Sequence, residues 1–269
     1  MVITRPVLRY PGGKYQLAKW IISHFPQHGF YVEPFGGGAS VLMRKPKVSG
    51  EIYNDLDSDV VNVFRVLRDK EMAKELERLV RLTPFSYEEY KDAYGPCEDP
   101  IERARRMIFR SFATIGSDGA SRRNSGFRGI KNYETTVTAA QEWARYPEAI
   151  GAFVERLQGV LIEHRDAMQL FRIYDAEETL FYVDPPYLMS TRSKRSVIYS
   201  NEMSEQQHIE LAQVLCNVQG MVVISGYSSA LYDDLYKRWR TVYRSSHANI
   251  GHKRTECLWL SPNIRTTLF

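Results

Sequence analysis

Residues 30–55, FYVEPFGGGASVLMRKPKVSGEIYND, decide the fold. Phe30, Tyr31 and Val32 form a short β-prone run that stops before Pro34, and Gly36, Gly37 and Gly38 make a turn. ASVLM (39–43) is compatible with a helix, and EIYND (51–55) reads as a second strand. Strand, turn, helix and strand in that order open a doubly wound α/β sheet.

Upstream, Leu17, Trp20, Ile21, His24 and Phe25 recur at helical spacing behind the turn Arg9-Tyr10-Pro11-Gly12-Gly13-Lys14. Downstream, the helical pattern dominates from Asp57 to Leu82, and further helices are expected from Ser86 and Ile101. Residues 115–132, IGSDGASRRNSGFRGIKN, break the pattern with glycine, serine and arginine, as a long loop or hairpin does. Strand-like runs return at 159–163, 180–183 and 221–225, with a helix expected over 204–216. RTVYRSS, a polar turn and TECLWLS then read as an antiparallel hairpin on the sheet edge.

With 43% hydrophobic and 25% charged positions, 269 residues can bury a core of one large α/β domain, with or without a smaller insert. No apolar run is long enough to span a membrane, and Pro6, Arg9 and Pro11 interrupt any signal-like stretch, so membrane and secretory classes are not expected. Cys97, Cys216 and Cys257 are odd in number and widely spaced, which suits a reducing cytoplasm and neither a disulfide framework nor a metal site. The net charge of +4 is uneven: residues 101–131 carry eight Lys or Arg against two acids, and the rest of the chain is slightly acidic. Such a concentration suits a polyanion partner.

Three constellations carry chemistry. Glu33-Pro34-Phe35-Gly36-Gly37-Gly38-Ala39-Ser40 lies between a strand and a helix, where glycines let a ligand approach the backbone closely at a helix N-terminus. Val41 stands where a dinucleotide fingerprint needs its third glycine, which weakens a pyrophosphate-binding reading. Asp55, at the end of the next strand, is placed to accept the hydroxyls of an adenosine ribose. The second constellation, Asp184-Pro185-Pro186-Tyr187, follows the strand LFYV at its carboxyl end. A carboxylate, a proline carbonyl outside any ladder and an aromatic face suit a planar exocyclic amine. Accepting both N–H bonds steers the amine's lone pair out of the ring plane, toward an electrophile. In the third, Gly12 and Gly13 allow close approach and Lys14 can meet a ligand carboxylate.

YPGGK, EPFGGG, an Asp closing the next strand and DPPY, in that order and with a basic insert before the last, resemble the DNA adenine methyltransferase (Dam) family of N6-adenine enzymes. The resemblance runs from Arg9 to about Pro262. It implies an S-adenosylmethionine-dependent, Rossmann-like methyltransferase sheet with a C-terminal antiparallel hairpin and an inserted, mostly helical target-recognition domain. On that reading residues 1–56 and 159–269 form the catalytic domain and 57–158 the DNA-binding one, with its recognition loop at about 115–132. It implies that Tyr10 and Lys14 hold the methionine end of S-adenosylmethionine, with Pro34 to Gly38 lining its pocket. Asp55 would bind the ribose and Asp166 would lie near the adenine. Asp184 would accept the target N6 protons, and Tyr187 would stack on an adenine flipped from the duplex, with Tyr199 a candidate for its other face.

The loop 115–132 lacks the fuller motif of GATC-specific members, so the recognition sequence stays open. Arg110, Arg122, Arg123, Asn124, Arg128 and Lys131, with Lys253 and Arg254 in the terminal hairpin, are the candidate DNA contacts, phosphate contact being the expectation for most. The expected partner is double-stranded DNA, without metal or membrane, for a chain monomeric in solution and able to pair on DNA. A bacterial cytoplasm, or that of a phage's host, is the expected compartment, in a restriction pair or alone. Rival readings are transfer to cytosine N4, RNA adenine or a protein amide, and a silent DNA-binding protein of the same fold. A cytosine C5 enzyme would need a cysteine nucleophile, and Cys97 lies in a polar helical region ill suited to that role.

Overall fold

The computed structural model describes residues 3–116, 118–121, 124–129, 137–191, 201–247 and 253–264. They fall into two compact units: Met1–Ala18, Gly37–Lys45 and Asp57–Ile162 form the first, and Lys19–Gly36, Pro46–Leu56 and Glu163–Phe269 the second.

The strands are β1 (Phe30–Glu33), β2 (Gly50–Asn54), β3 (Val160–Glu163), β4 (Thr179–Val183), β5 (Met221–Tyr227), β6 (Arg240–His247) and β7 (Lys253–Leu260). They make one sheet in the order β3-β2-β1-β4-β5-β7-β6. Strand β1 pairs in parallel with β2, Phe30 opposite Gly50, and with β4, Phe30 opposite Thr179. Strands β4 and β5 are parallel, and β7 runs antiparallel between β5 and β6, so the expected C-terminal hairpin supplies the sheet edge through β6.

Every residue of TLFYV in β4 is buried, as a strand covered on both faces requires. On one face Val32, Phe181, Val183, Val222 and Ile224 pack with Leu170 and Phe171 of α8 (Ala167–Ile173) and Leu211 and Leu215 of α9 (Glu205–Leu215). In the alternate set Tyr31 and Tyr182 meet the Phe25 ring, with centroids 5.9 and 5.8 Å away. Phe25 lies just past α1 (Ala18–Ile22), which is shorter than the periodicity of 17–25 predicts.

In the first unit the helices start where capping side chains allow. Asp57 caps α2 (Ser58–Arg68), and Asp69 ends it and caps α3 (Lys70–Leu82), dividing the helical stretch 57–82 in two. Ser86 caps α4 (Tyr87–Asp92), and Asp99 caps α5 (Pro100–Ala113), with Pro100 in the first turn. Helices α6 (Ala139–Ala144) and α7 (Pro147–Leu157) follow, α6 opened by a capping box of Thr138 and Gln141. Helix α5 packs on α2 and α3, and its Met107, Ile108 and Phe109 are buried. The N-terminal segment is pinned to this unit where Tyr146 Oη donates to the Val7 carbonyl at 2.7 Å.

ASVLM is not a helix. Gly37 and Ala39 hold φ at +47° and +51°, a left-handed path that L residues enter at a cost, and the chain then makes a short series of turns closed by Met43 N–H to the Ala39 carbonyl at 2.9 Å. The described residues of the loop after α5 pair as a hairpin does: Thr114 bridges Phe127, and Ile115 N–H donates to the Gly126 carbonyl at 2.9 Å.

Candidate active site

In the sheet the chain leaves β1 for β2 and β3 on one side, then returns to β4 on the other. Open α/β sheets bind ligands outside the carboxyl ends of the strands at such a switch point. The two loops there are Glu33 to Gly36, after β1, and Asp184 to Tyr187, after β4.

Glu33 ends β1 at 2% exposure and accepts a hydrogen bond from Tyr31 Oη at 2.9 Å. Burial, and then the charge of Glu33, hold the Tyr31 phenol well above its ordinary range, so it remains a donor. Gly36 donates its N–H to the Asn54 carbonyl at 2.7 Å, and a β-carbon there would overlap the Tyr53 ring, so only glycine fits. The buried Asn54 side chain donates to the carbonyls of Pro34 and Arg165 at 2.8 and 3.0 Å and accepts from Arg165 N–H at 2.9 Å. Three chain segments are tied by one amide, beside half-buried Asp55 and next to Asp166. Asp166 is exposed and caps α8, accepting from Met168 N–H at 2.8 Å.

Asp184 follows the last residue of β4. Its Oδ1 accepts from Ser225 Oγ on β5 at 2.7 Å. Pro185 is buried and Pro186 half-buried, and the Tyr187 ring meets the edge of Tyr227 with centroids 4.7 Å apart. Tyr187 Oη donates to Glu256 Oε2, on β7, at 3.1 Å. A cavity of about 500 Å³ opens beside this pair, lined by Tyr227 itself, Ser190, Thr191, Ser228, Ser229, Ala230 and Thr255. Among the described residues, the polar side chains that line it are hydroxyls. Asn54, Ser225, Tyr227 and Glu256 were not singled out in the sequence.

In the first unit Tyr10 to Gly13 form a tight turn closed by Gly13 N–H to the Tyr10 carbonyl at 3.0 Å, with Gly12 at φ +68° behind Pro11. Lys14 is 4% exposed and its Nζ donates to the Gly12 carbonyl at 2.5 Å. The Tyr10 ring lies over Gly37, where a β-carbon would come within 2.9 Å of it, and a β-carbon at Gly38 would lie 3.3 Å from the Leu8 carbonyl. The glycines expected to admit a ligand thus also admit the protein's own tyrosines, Tyr53 at Gly36 and Tyr10 at Gly37.

Among the candidate DNA contacts, Arg110 needs correction. It is buried, its guanidinium donates to the Ala93 and Gly119 carbonyls at 2.6 and 3.3 Å, and it lies over the Tyr94 ring. It ties α5 to the loop on either side, a buried structural role in place of the exposed one expected. Arg128 is paired with Glu142 at 2.6 Å, and Arg5 donates to the Glu142 carbonyl at 3.0 Å. Burial, and then the nearby charge of Arg128, pull the Arg9 guanidinium below its ordinary value. This corner therefore gathers three arginines around one glutamate. Asn124 is exposed, and its Oδ1 accepts from Tyr90 Oη at 2.5 Å and from Gly126 N–H at 3.1 Å, which holds the loop's shape. Lys253 and Arg254 lie in β7 opposite His247 and Ser246. Arg122, Arg123, Lys131 and Tyr199 lie outside the described residues.

No helix among the described residues is long and apolar enough to cross a membrane. The chain is 27% identical over 264 residues to the DNA adenine methylase of Salmonella typhi, covering 93% of this chain and 92% of that protein. It is 27% identical over 267 residues to the DNA adenine methylase of Escherichia coli K12, with the same coverage. A type II methyltransferase of Lactococcus lactis subsp. cremoris is 26% identical over 259 residues, covering 87% of this chain and 84% of that protein. The family model for the D12 class of N6 adenine-specific DNA methyltransferases matches residues 10–255. A sheet whose switch point joins a glycine loop to DPPY, matched to that family over nearly the whole chain, makes this protein a member of the D12 class, an enzyme that methylates N6 of adenine in DNA.

Proposed function

We propose that the methyl donor is S-adenosylmethionine and that the substrate is an adenine within a double-stranded recognition sequence, turned out of the helix for reaction. The observation that carries this reading is the gathering of carboxylates at the carboxyl ends of adjacent parallel strands: Glu33 on β1, Asp55 after β2 and Asp184 after β4. That set of acceptors suits a nucleoside ligand bearing hydroxyls and an ammonium group, next to an amine that must be oriented.

When bound, S-adenosylmethionine supplies a methyl carbon made electrophilic by its sulfonium. Asp55 would accept the ribose hydroxyls, and Asp166 would lie near the cofactor's adenine. Glu33 and Pro34 to Gly38 would line the pocket, and Tyr10, with Lys14 set by the Gly12–Gly13 turn, would serve the methionine end. Asp184 and the Pro185 carbonyl would accept the two N6 protons, so that the nitrogen lone pair points out of the base plane. Tyr187 would stack on the ring. On methyl transfer the N6 nitrogen would gain positive charge, which the Asp184 carboxylate beside it would stabilise until a proton leaves to solvent. In this reading positioning supplies most of the rate and neither metal nor covalent intermediate is needed. Residues 57–158 would recognise DNA through the loop 115–132, while 1–56 and 159–269 carry the chemistry, in a protein monomeric in solution and acting in a reducing cytoplasm.

The test is to incubate the purified protein with S-adenosylmethionine and unmethylated genomic DNA, digest the DNA to nucleosides and identify the product by mass spectrometry. N6-methyladenine, made from duplex and not from single strands, is expected. N4-methylcytosine would overturn the substrate, and no methylated nucleoside would overturn the reading.

A further inference from the structure

The Asp184 carboxylate is held by one hydroxyl, which a second one orients. Strands β4 and β5 run in register, Val183 opposite Ile224, so Asp184 and Ser225 are the next residues along the pair. Ser225 is 1% exposed and its Oγ donates to Asp184 Oδ1 at 2.7 Å. The same Oγ lies 3.1 Å from Tyr182 Oη, two residues before Asp184 on β4. An ionised carboxylate only accepts, so the single Ser225 proton goes to Asp184, and Tyr182 must be the donor to Ser225. Burial, and then the charge of Asp184, hold the Tyr182 phenol well above its ordinary value, which keeps that donor protonated. Hydrogen-bond polarity therefore runs one way, from Tyr182 through Ser225 to Asp184.

Strand packing alone does not call for this chain. Tyr182 sits against Phe25, where a phenylalanine ring would pack as well, and deleting both partners of a buried hydrogen bond is close to neutral for stability. What the two hydroxyls do decide is the orientation of the carboxylate.

We propose that Ser225 and Tyr182 are positioning residues for methyl transfer: Ser225 fixes Oδ1 of Asp184, and with it the plane in which the carboxylate meets the target amine, while Tyr182 fixes Ser225. The proposal rests on the role given to Asp184 above.

Single-turnover methylation of duplex DNA by the wild type, Ser225→Ala, Tyr182→Phe and the double variant tests it, with S-adenosylmethionine Kd, DNA KM and thermal melting measured in parallel. Loss of a hydrogen bond to a charged acceptor is expected to slow the Ser225→Ala methyl-transfer step about tenfold or more. Kd and KM should stay within about twofold, since ground-state binding is untouched. Tyr182→Phe should cost less, and the double variant should be no slower than Ser225→Ala, because Tyr182 acts only through Ser225. A Ser225→Ala enzyme at the wild-type rate would overturn the proposal, as would losses that appear in Kd or KM instead of the rate, or that add in the double variant. If the wild type leaves adenine unmethylated, the role of Asp184 falls first and this one with it.

Discussion

Tyr187 Oη donates to Glu256 Oε2 across 3.1 Å, joining the loop after β4 to the central residues of β7. Both residues are buried, and Tyr227 presses its ring against Tyr187 from the side. An aromatic ring fixed at its hydroxyl and at its flank presents one face in a set plane, as stacking on an extrahelical base requires.

The first prediction concerns that face. Tyr187→Ala removes the stacking surface, worth about 1–3 kcal/mol per base, so methylation should fall about ten- to hundredfold. Tyr187→Phe keeps the ring and loses only the tether, so it should retain most activity. The fluorescence rise of 2-aminopurine placed at the target position, followed by stopped flow, should be lost in the first variant and kept in the second. Equal loss in both would assign the role to the hydroxyl and not to the ring.

Asp184→Ala should abolish methylation and leave S-adenosylmethionine binding measurable by calorimetry, because Glu33, Asp55 and the Asn54 cross-tie remain in place. Measurable turnover by this variant would contradict the assigned role of Asp184.

Much of the sheet and of the loops at its strand ends was legible in the sequence. Glycine loop, closing acid and DPPY each announce themselves locally, and Asp57 and Ser86 mark helix starts in the sequence, while the start expected at Ile101 lies at Pro100 behind its cap Asp99. What escaped is what comes from elsewhere in the chain. Ser225 is 41 positions from Asp184, Glu256 is 69 from Tyr187, and Asn54 is 111 from Arg165, and only strand order brings them together. ASVLM misled because residue type does not reveal that Gly37 and Ala39 take left-handed angles. Arg110 misled because a charge count ignores which face of a helix a residue occupies. Its neighbours at helical spacing, Met107 and Ala113, are both buried, a signal that places Arg110 inside.

Alkaline pH should weaken the fold. Burial, helped by the charges of Glu256 and Asp233 and opposed by a backbone hydrogen bond at Ser228, raises the Cys257 thiol to about 11. Its folded value lies above its unfolded one, so its contribution is complete below about pH 9 and is lost as pH rises toward 11. The buried Tyr31 and Tyr182 phenols act in the same direction from about pH 10 upward. Melting temperature should decline over that range, less steeply in Cys257→Ala. A parallel decline in the variant would remove Cys257 from the effect.

The arginines should separate into two kinds under salt. A side chain that neutralises one phosphate contributes about 0.9 to the slope of log K against log salt concentration. Replacing Arg122 and Arg123 together by Ala should therefore weaken DNA binding at low salt and flatten that slope by about 2. Arg110→Ala should do the opposite. Its guanidinium is spent on the Ala93 and Gly119 carbonyls, so its loss costs about 1.5–3 kcal/mol of stability, lowers the melting temperature and leaves the salt slope of the folded protein where it was. Arg128 distinguishes the two cases by its partner. It is held by Glu142, so Arg128→Ala frees a carboxylate beside Arg5 and Arg9, and the slope should change by less than the value for one phosphate. Fluorescence anisotropy titrations between about 50 and 200 mM salt, the range over which such contacts lose their affinity, measure all three slopes. A slope that falls in Arg110→Ala as far as in the Arg122 and Arg123 double variant would mean that this arginine leaves its carbonyls to meet DNA.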